Sequence, residues 1–95
     1  MFIVSLTYKK DLSEVDKFIE PHIEFLKEKY LKKIFLASGR KIPRTGGILL
    51  ARTKSKAELL NELKDDPFYI NDIAEYNIIE FVPSMTCKEL EFLKE

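Results

Sequence analysis

Four short runs rich in β-branched and aromatic residues, two longer stretches of helical periodicity between them, and the alternation of the two kinds along the chain predict an α+β domain. Their order, β-α-β-β-α-β, is the ferredoxin-like arrangement of a four-stranded antiparallel sheet with helices on one face. Residues 2–8, FIVSLTY, make the first strand, with Phe2, Val4, Leu6 and Tyr8 on one face and Ile3, Ser5 and Thr7 on the other. From Asp11 to about Tyr30 the period changes: Leu12, Val15, Phe18, Ile19, Ile23, Leu26 and Tyr30 recur at steps of three and four residues, as on an amphipathic helix. Asp11 or Ser13 suits the start of that helix. Pro21 lies inside it and removes a hydrogen-bond donor, which predicts a kink or two short helices meeting there.

Residues 33–39, KIFLASG, and 47–53, GILLART, read as the second and third strands, joined by a hairpin loop from Arg40 to Gly46. Ser55 then caps a helix of about nine residues with Ala57, Leu59, Leu60 and Leu63 turned inward. Asp65-Asp66-Pro67 ends it, because a residue before proline is pushed out of the helical region, and Asp66 suits the cap of a further turn starting at Pro67. Residues 74–82, AEYNIIEFV, are the fourth strand, and the tail 84–95 is expected as an extension or short helix. Two helices cover only one face of such a sheet, yet Phe2 and Ile3, Leu49 and Leu50, and Ile78 and Ile79 make strands apolar on both sides. A second copy of the chain is the simplest cover for the open face, so a homodimer is expected.

Ninety-five residues, 45% hydrophobic and 34% charged, fit a single folded domain spanning 1–95 and are too apolar for intrinsic disorder. Sixteen Lys and Arg balance sixteen Asp and Glu, which argues against a partner chosen by bulk charge, such as duplex DNA or an anionic membrane. The single cysteine, Cys87, closes no internal disulfide, and no run has the ~18 apolar residues of a membrane span or the form of a signal peptide. A cytoplasmic protein is expected.

Few residues carry chemistry. His22 is the only histidine. At about 100° per residue, Phe18, Val15, Leu26, Ile19 and Tyr30 all fall within about 80° of it, so the imidazole rises from the apolar stripe. There it is either a satisfied core residue, the reading that the pattern alone favours, or a general base in a dry pocket. Asp66, in DDPF, reads most simply as a turn cap, and Ser38, in ASG, as a strand-end hydroxyl or a donor into a cleft. A hydrolytic Ser38–His22–Asp66 triad lacks the G-x-S-x-G elbow. Arg40, Lys41 and Arg44 cluster on the hairpin loop, either as a solvated face or as a clamp for a carboxylate or phosphate. Gly46-Gly47 is too short to cradle a phosphate and is read as letting the backbone turn, and Lys27, Lys29, Lys32 and Lys33 are read as helix surface. A lone histidine, scattered carboxylates and one distant cysteine give no metal-ligand spacing, so no metal is expected.

PHIEFL in the first helix, FLASGRK at the second strand, RTGGILLA at the third and DDPF after the second helix occur in an order that resembles the YciI-like (YCII-related) family of small proteins, over Phe2 to about Val82. That resemblance implies a ferredoxin-like domain dimerising sheet to sheet into an α/β barrel. It further implies a site built on a His–Asp pair with a nearby serine, which carry over to His22, Asp66 and Ser38. Members often show Gly-Pro where this chain has Gly39-Arg40, so Arg40 and Lys41 would favour a more anionic ligand here. The implied activity is cofactor-free proton abstraction, isomerisation or elimination on a small organic acid or ring compound. The alternatives are a dimer that holds a small ligand without turning it over, and a structural role in which His22 is core and Asp66 a cap.

Overall fold

A computed structural model describes residues Met1–Glu95 and places the strands in the order β2-β3-β1-β4, all antiparallel. The elements along the chain are β1 (Phe2–Tyr8), α1 (Leu12–Asp16), α2 (Ile19–Leu31), β2 (Phe35–Arg40), β3 (Gly46–Ala51), α3 (Lys56–Leu63), α4 (Pro67–Ile70) and β4 (Ala74–Glu80), followed by a 3₁₀ helix over Lys88–Leu93. This is the ferredoxin-like sheet that the element order predicts. The strands run shorter than expected: β2 begins only at Phe35, β3 closes at Ala51 and β4 at Glu80.

Register sorts the residues between the two faces. Phe2 lies opposite Ala51, and Val4 opposite Leu49 and Ile78, and this face carries the core beneath α2 and α3. Ile3 lies opposite Leu50 and Ile79, and Ser5 opposite Ile48 and Asn77, on the face that no helix covers. Ile48 is 38% exposed there and Ile79 57%.

The long helix does divide, but not at Pro21. Asp16 ends α1 and α2 starts at Ile19, so Pro21 is its third residue, where the missing N–H would have had no partner within the helix. His22 makes the first main-chain bond back to Phe18, 3.0 Å. The buried stripe runs Val15, His22, Phe25 and Lys29, while Leu12 and Ile23, expected inside, are exposed. In α3, Leu59 and Leu63 are buried, whereas Ala57 and Leu60 face solvent: eight residues give one inward stripe too narrow for all four. The Ser55 hydroxyl accepts from the Glu58 N–H at 3.1 Å, a cap worth ~1 kcal/mol.

Gly46 serves a different end from the turn expected of it. A Cβ at this position would stand 1.7 Å from the Leu6 carbonyl oxygen, so only glycine lets β3 lie this close to β1, and no glycine in the chain takes a positive φ. Lys29 also departs from expectation. It is buried beneath α3, its ammonium 2.5 Å from Glu62 and over the Phe25 ring at 5.3 Å. No helix is long and apolar enough to cross a membrane.

Candidate active site

Asp66 is the centre of the arrangement. Its backbone is extended at φ −66° and ψ 126°, as the following proline requires, and this aims the carboxylate back over the first turn of α4. Oδ1 accepts from the Phe68 N–H at 2.9 Å, the cap that the sequence predicts. The same oxygen lies 2.7 Å from His22 Nδ1, across 44 positions of sequence. Oδ2 accepts from the Tyr76 hydroxyl at 2.6 Å. Asp66 is wholly buried and His22 nearly so, at 9% exposure. One carboxylate oxygen thus both caps the turn and lies within hydrogen-bond distance of the imidazole.

A fully buried carboxylate needs its lone pairs satisfied, and three donors converge on this one. Burial, with the Asp66 charge alongside, raises the Tyr76 phenol well above its usual range, so Tyr76 keeps its proton and donates it. Phe68 contributes a main-chain N–H. The third bond is then made by Nδ1–H of the imidazole, which leaves Nε2 as the basic nitrogen. Phe68 stacks on the His22 ring at 3.9 Å between centroids and 3° between planes, fixing the ring from one side. Phe25 lies beyond at 6.4 Å.

His22 borders a cleft of about 190 Å³ between α2 and the helix-side face of the sheet. Leu6, Ile19, Leu26, Leu49 and Phe68 give it apolar walls, and Ser38, Gly39, Arg40 and the Gly46-Gly47 pair form the rim at the β2–β3 end. An engineered apolar cavity of about 150 Å³ holds benzene, so this volume suits one ring or a small acid, and falls below the ~300–1,000 Å³ of drug-sized pockets. Arg40 is the only cation in the lining and no carboxylate joins it there. Arg44 is held 2.5 Å from Asp16, whereas Arg40 has no acidic partner.

Of the five residues singled out in the sequence, four meet around this cleft: His22, Ser38 and Arg40 line it, and Asp66 stands directly behind His22. Ser38 makes no bond to His22 and shares a hydrogen bond with the Tyr30 hydroxyl. Lys41 is not brought in. Its ammonium lies 3.2 Å from Thr7 Oγ1, on the open face of the sheet, because successive strand residues point to opposite sides. Phe68, Tyr76 and Tyr30 were not singled out in the sequence. Tyr76 had a signal, since it alternates with Ala74 and Ile78 on the core face of β4. Tyr30 had only its place in the helix period. No three His, Cys, Asp or Glu side chains gather where they could hold a metal ion.

Fold and cleft together define a small α+β protein with a ligand-sized cavity on the helix side of a four-stranded sheet. The sequence profile of the YCII-related domain matches residues 1–82, and the chain belongs to that family. Among solved structures it is similar to 5-chloro-2-hydroxyhydroquinone dehydrochlorinase (TftG) of Burkholderia phenoliruptrix, determined in complex with 2,5-dihydroxybenzoquinone. The match has a TM-score of 0.70 at 16% identity and covers 85% of this chain and 93% of that one, a likeness of fold. Comparison with curated protein sequences gives no match.

Proposed function

We propose that the protein is a cofactor-free acid–base enzyme acting on a small anionic organic acid or ring compound. The observation that carries this reading is the commitment of His22 Nδ1 to a buried carboxylate, with the ring bordering a cleft. In this reading His22 Nε2 accepts a proton from an acidic carbon or hydroxyl of the substrate. Asp66 orients the ring and offsets the charge of the imidazolium that forms. The anion left on the substrate is met by the Arg40 guanidinium and by a hydrogen bond from Ser38. Departure of a leaving group with its electron pair completes an elimination, and return of the proton at another atom completes an isomerisation. The dehydrochlorinase with the similar fold supports ring compounds as the first to try.

The reading includes a homodimer formed through the open sheet face, supported by Ile3, Ile48, Leu50 and Ile79 lying together there.

A panel of chlorinated hydroquinones, phenols and small oxo acids, followed by product chromatography, tests the activity. With a substrate in hand, His22→Gln is expected to lower turnover by roughly 10²–10⁴, the usual worth of general acid–base assistance. Undiminished turnover in that variant rejects the mechanism. Ligands that bind in the cleft and are all recovered unchanged reject the enzyme.

A further inference from the structure

We propose that Tyr76 is a positioning residue of this site, holding the Asp66 carboxylate in the one orientation that leaves His22 basic at Nε2; the inference rests on the acid–base reading above. Three observations carry it. The Tyr76 hydroxyl takes up Oδ2 at 2.6 Å, so the carboxylate cannot turn that oxygen toward the imidazole. Oδ1 is then shared between the Phe68 N–H at 2.9 Å and His22 Nδ1 at 2.7 Å. Tyr76 itself is fixed, on the core face of β4 opposite Leu6, with the Tyr69 ring edge-on at 5.7 Å.

The chemistry follows from the donor count. A buried carboxylate with only two donors is a stronger proton acceptor than one with three. Without the phenol, Asp66 would draw harder on the Nδ1 proton and hold the imidazolium more firmly, so His22 would lose its proton less readily. Tyr76 thus tempers the pair: Asp66 sets the tautomer, and Tyr76 limits how strongly it does so. The other titratable groups turned toward the cluster are Tyr8 of β1 and Arg40 of β2 on the cleft side, and Tyr69 of α4 against Tyr76. None of them touches Asp66.

The test is a proton and nitrogen NMR titration of the single histidine in the parent chain, in Tyr76→Phe and in Asp66→Asn. Tyr76→Phe keeps the ring and its contact with Tyr69 and removes only the hydroxyl. The His22 midpoint is expected to move up in Tyr76→Phe and down in Asp66→Asn. A shift in Asp66→Asn with none in Tyr76→Phe overturns the role of Tyr76 and leaves the His22–Asp66 pair standing. No shift in either overturns the acid–base reading itself. The parent chain gives a check that needs no variant: the Tyr76 hydroxyl proton is expected as a slowly exchanging downfield signal close to Asp66, and a freely exchanging hydroxyl overturns the proposal.

Discussion

Asp66 shows how much one oxygen can be asked to hold: a turn, a histidine and, through its neighbour, a phenol. The phenol has a pH signature of its own. Tyr76 is raised above its ordinary value of 10.0 by burial first and by Asp66 second. Above pH 10 the unfolded chain releases this proton while the folded chain keeps it, so the unfolded state binds fewer protons and stability falls as pH rises. The contribution is whole below the unfolded value and is lost on the way up through the folded one. Urea unfolding of the parent between pH 9 and 11 is therefore expected to lose up to ~1.4 kcal/mol per pH unit more than Tyr76→Phe. Equal slopes would show that the hydroxyl titrates as freely in the fold as out of it.

Helix α2 shows which parts of the fold could be read from sequence and which could not. Its existence, its polar face and the place of His22 in the apolar stripe follow from the three- and four-residue period. Its packing does not. A period drawn through apolar residues passes along Leu26 and Tyr30, whereas the buried line continues from Phe25 to Lys29. A lysine is counted as surface until the element opposite is known, and here that element is α3, which brings Glu62 over it. Asp66 was legible as a cap because capping is local. Its bonds to His22 and Tyr76 depend on where β4 and α2 lie, and no spacing encodes that. Lys41 was misplaced for the opposite reason: neighbours in a basic loop look alike in sequence, and the pleat sends Arg40 to the cleft and Lys41 to the other face. The Lys29–Glu62 pair carries a stability prediction. Glu62→Ala leaves the buried ammonium with only the Glu28 carboxylate, 4.0 Å away, and is expected to cost about 1–3 kcal/mol in denaturant unfolding. Replacing both partners, Lys29→Met with Glu62→Leu, removes the charges with their burial cost and is expected to be neutral or stabilising. A larger loss from the double replacement than from Glu62→Ala would contradict this account.

For the molecule as a whole, the sheet has one face under helices and one bare. Ile3, Ile48, Leu50 and Ile79 on the bare face surround Ser5 and Asn77, a mixture that suits association better than water. Light scattering at micromolar concentration is expected to give twice the 11.1 kDa chain mass, and Ile79→Lys to return it to the single chain with the fold intact. A parent that scatters as one chain removes the dimer from the proposed function and leaves the cleft, built within one chain, unaffected. The family match ends at residue 82, yet the remaining tail packs back: the Glu95 N–H donates to the Pro83 carbonyl at 3.0 Å, and Leu93 is buried.

The double duty of Asp66 bears on how relatives of this chain should be told apart. A lineage that abandoned the chemistry would still favour a capping residue at 66, whether aspartate, asparagine, serine or threonine, because the first turn of α4 gains from a side-chain acceptor there. A capping side chain at that position is accordingly, by itself, a poor witness to activity. His22 and the Tyr76 hydroxyl have no part in the turn itself: their tie is to the buried carboxylate, which needs both donors as long as it carries a charge. Descendants that have become passive binders would be recognised by joint drift at 22 and 76 together with a neutral cap at 66.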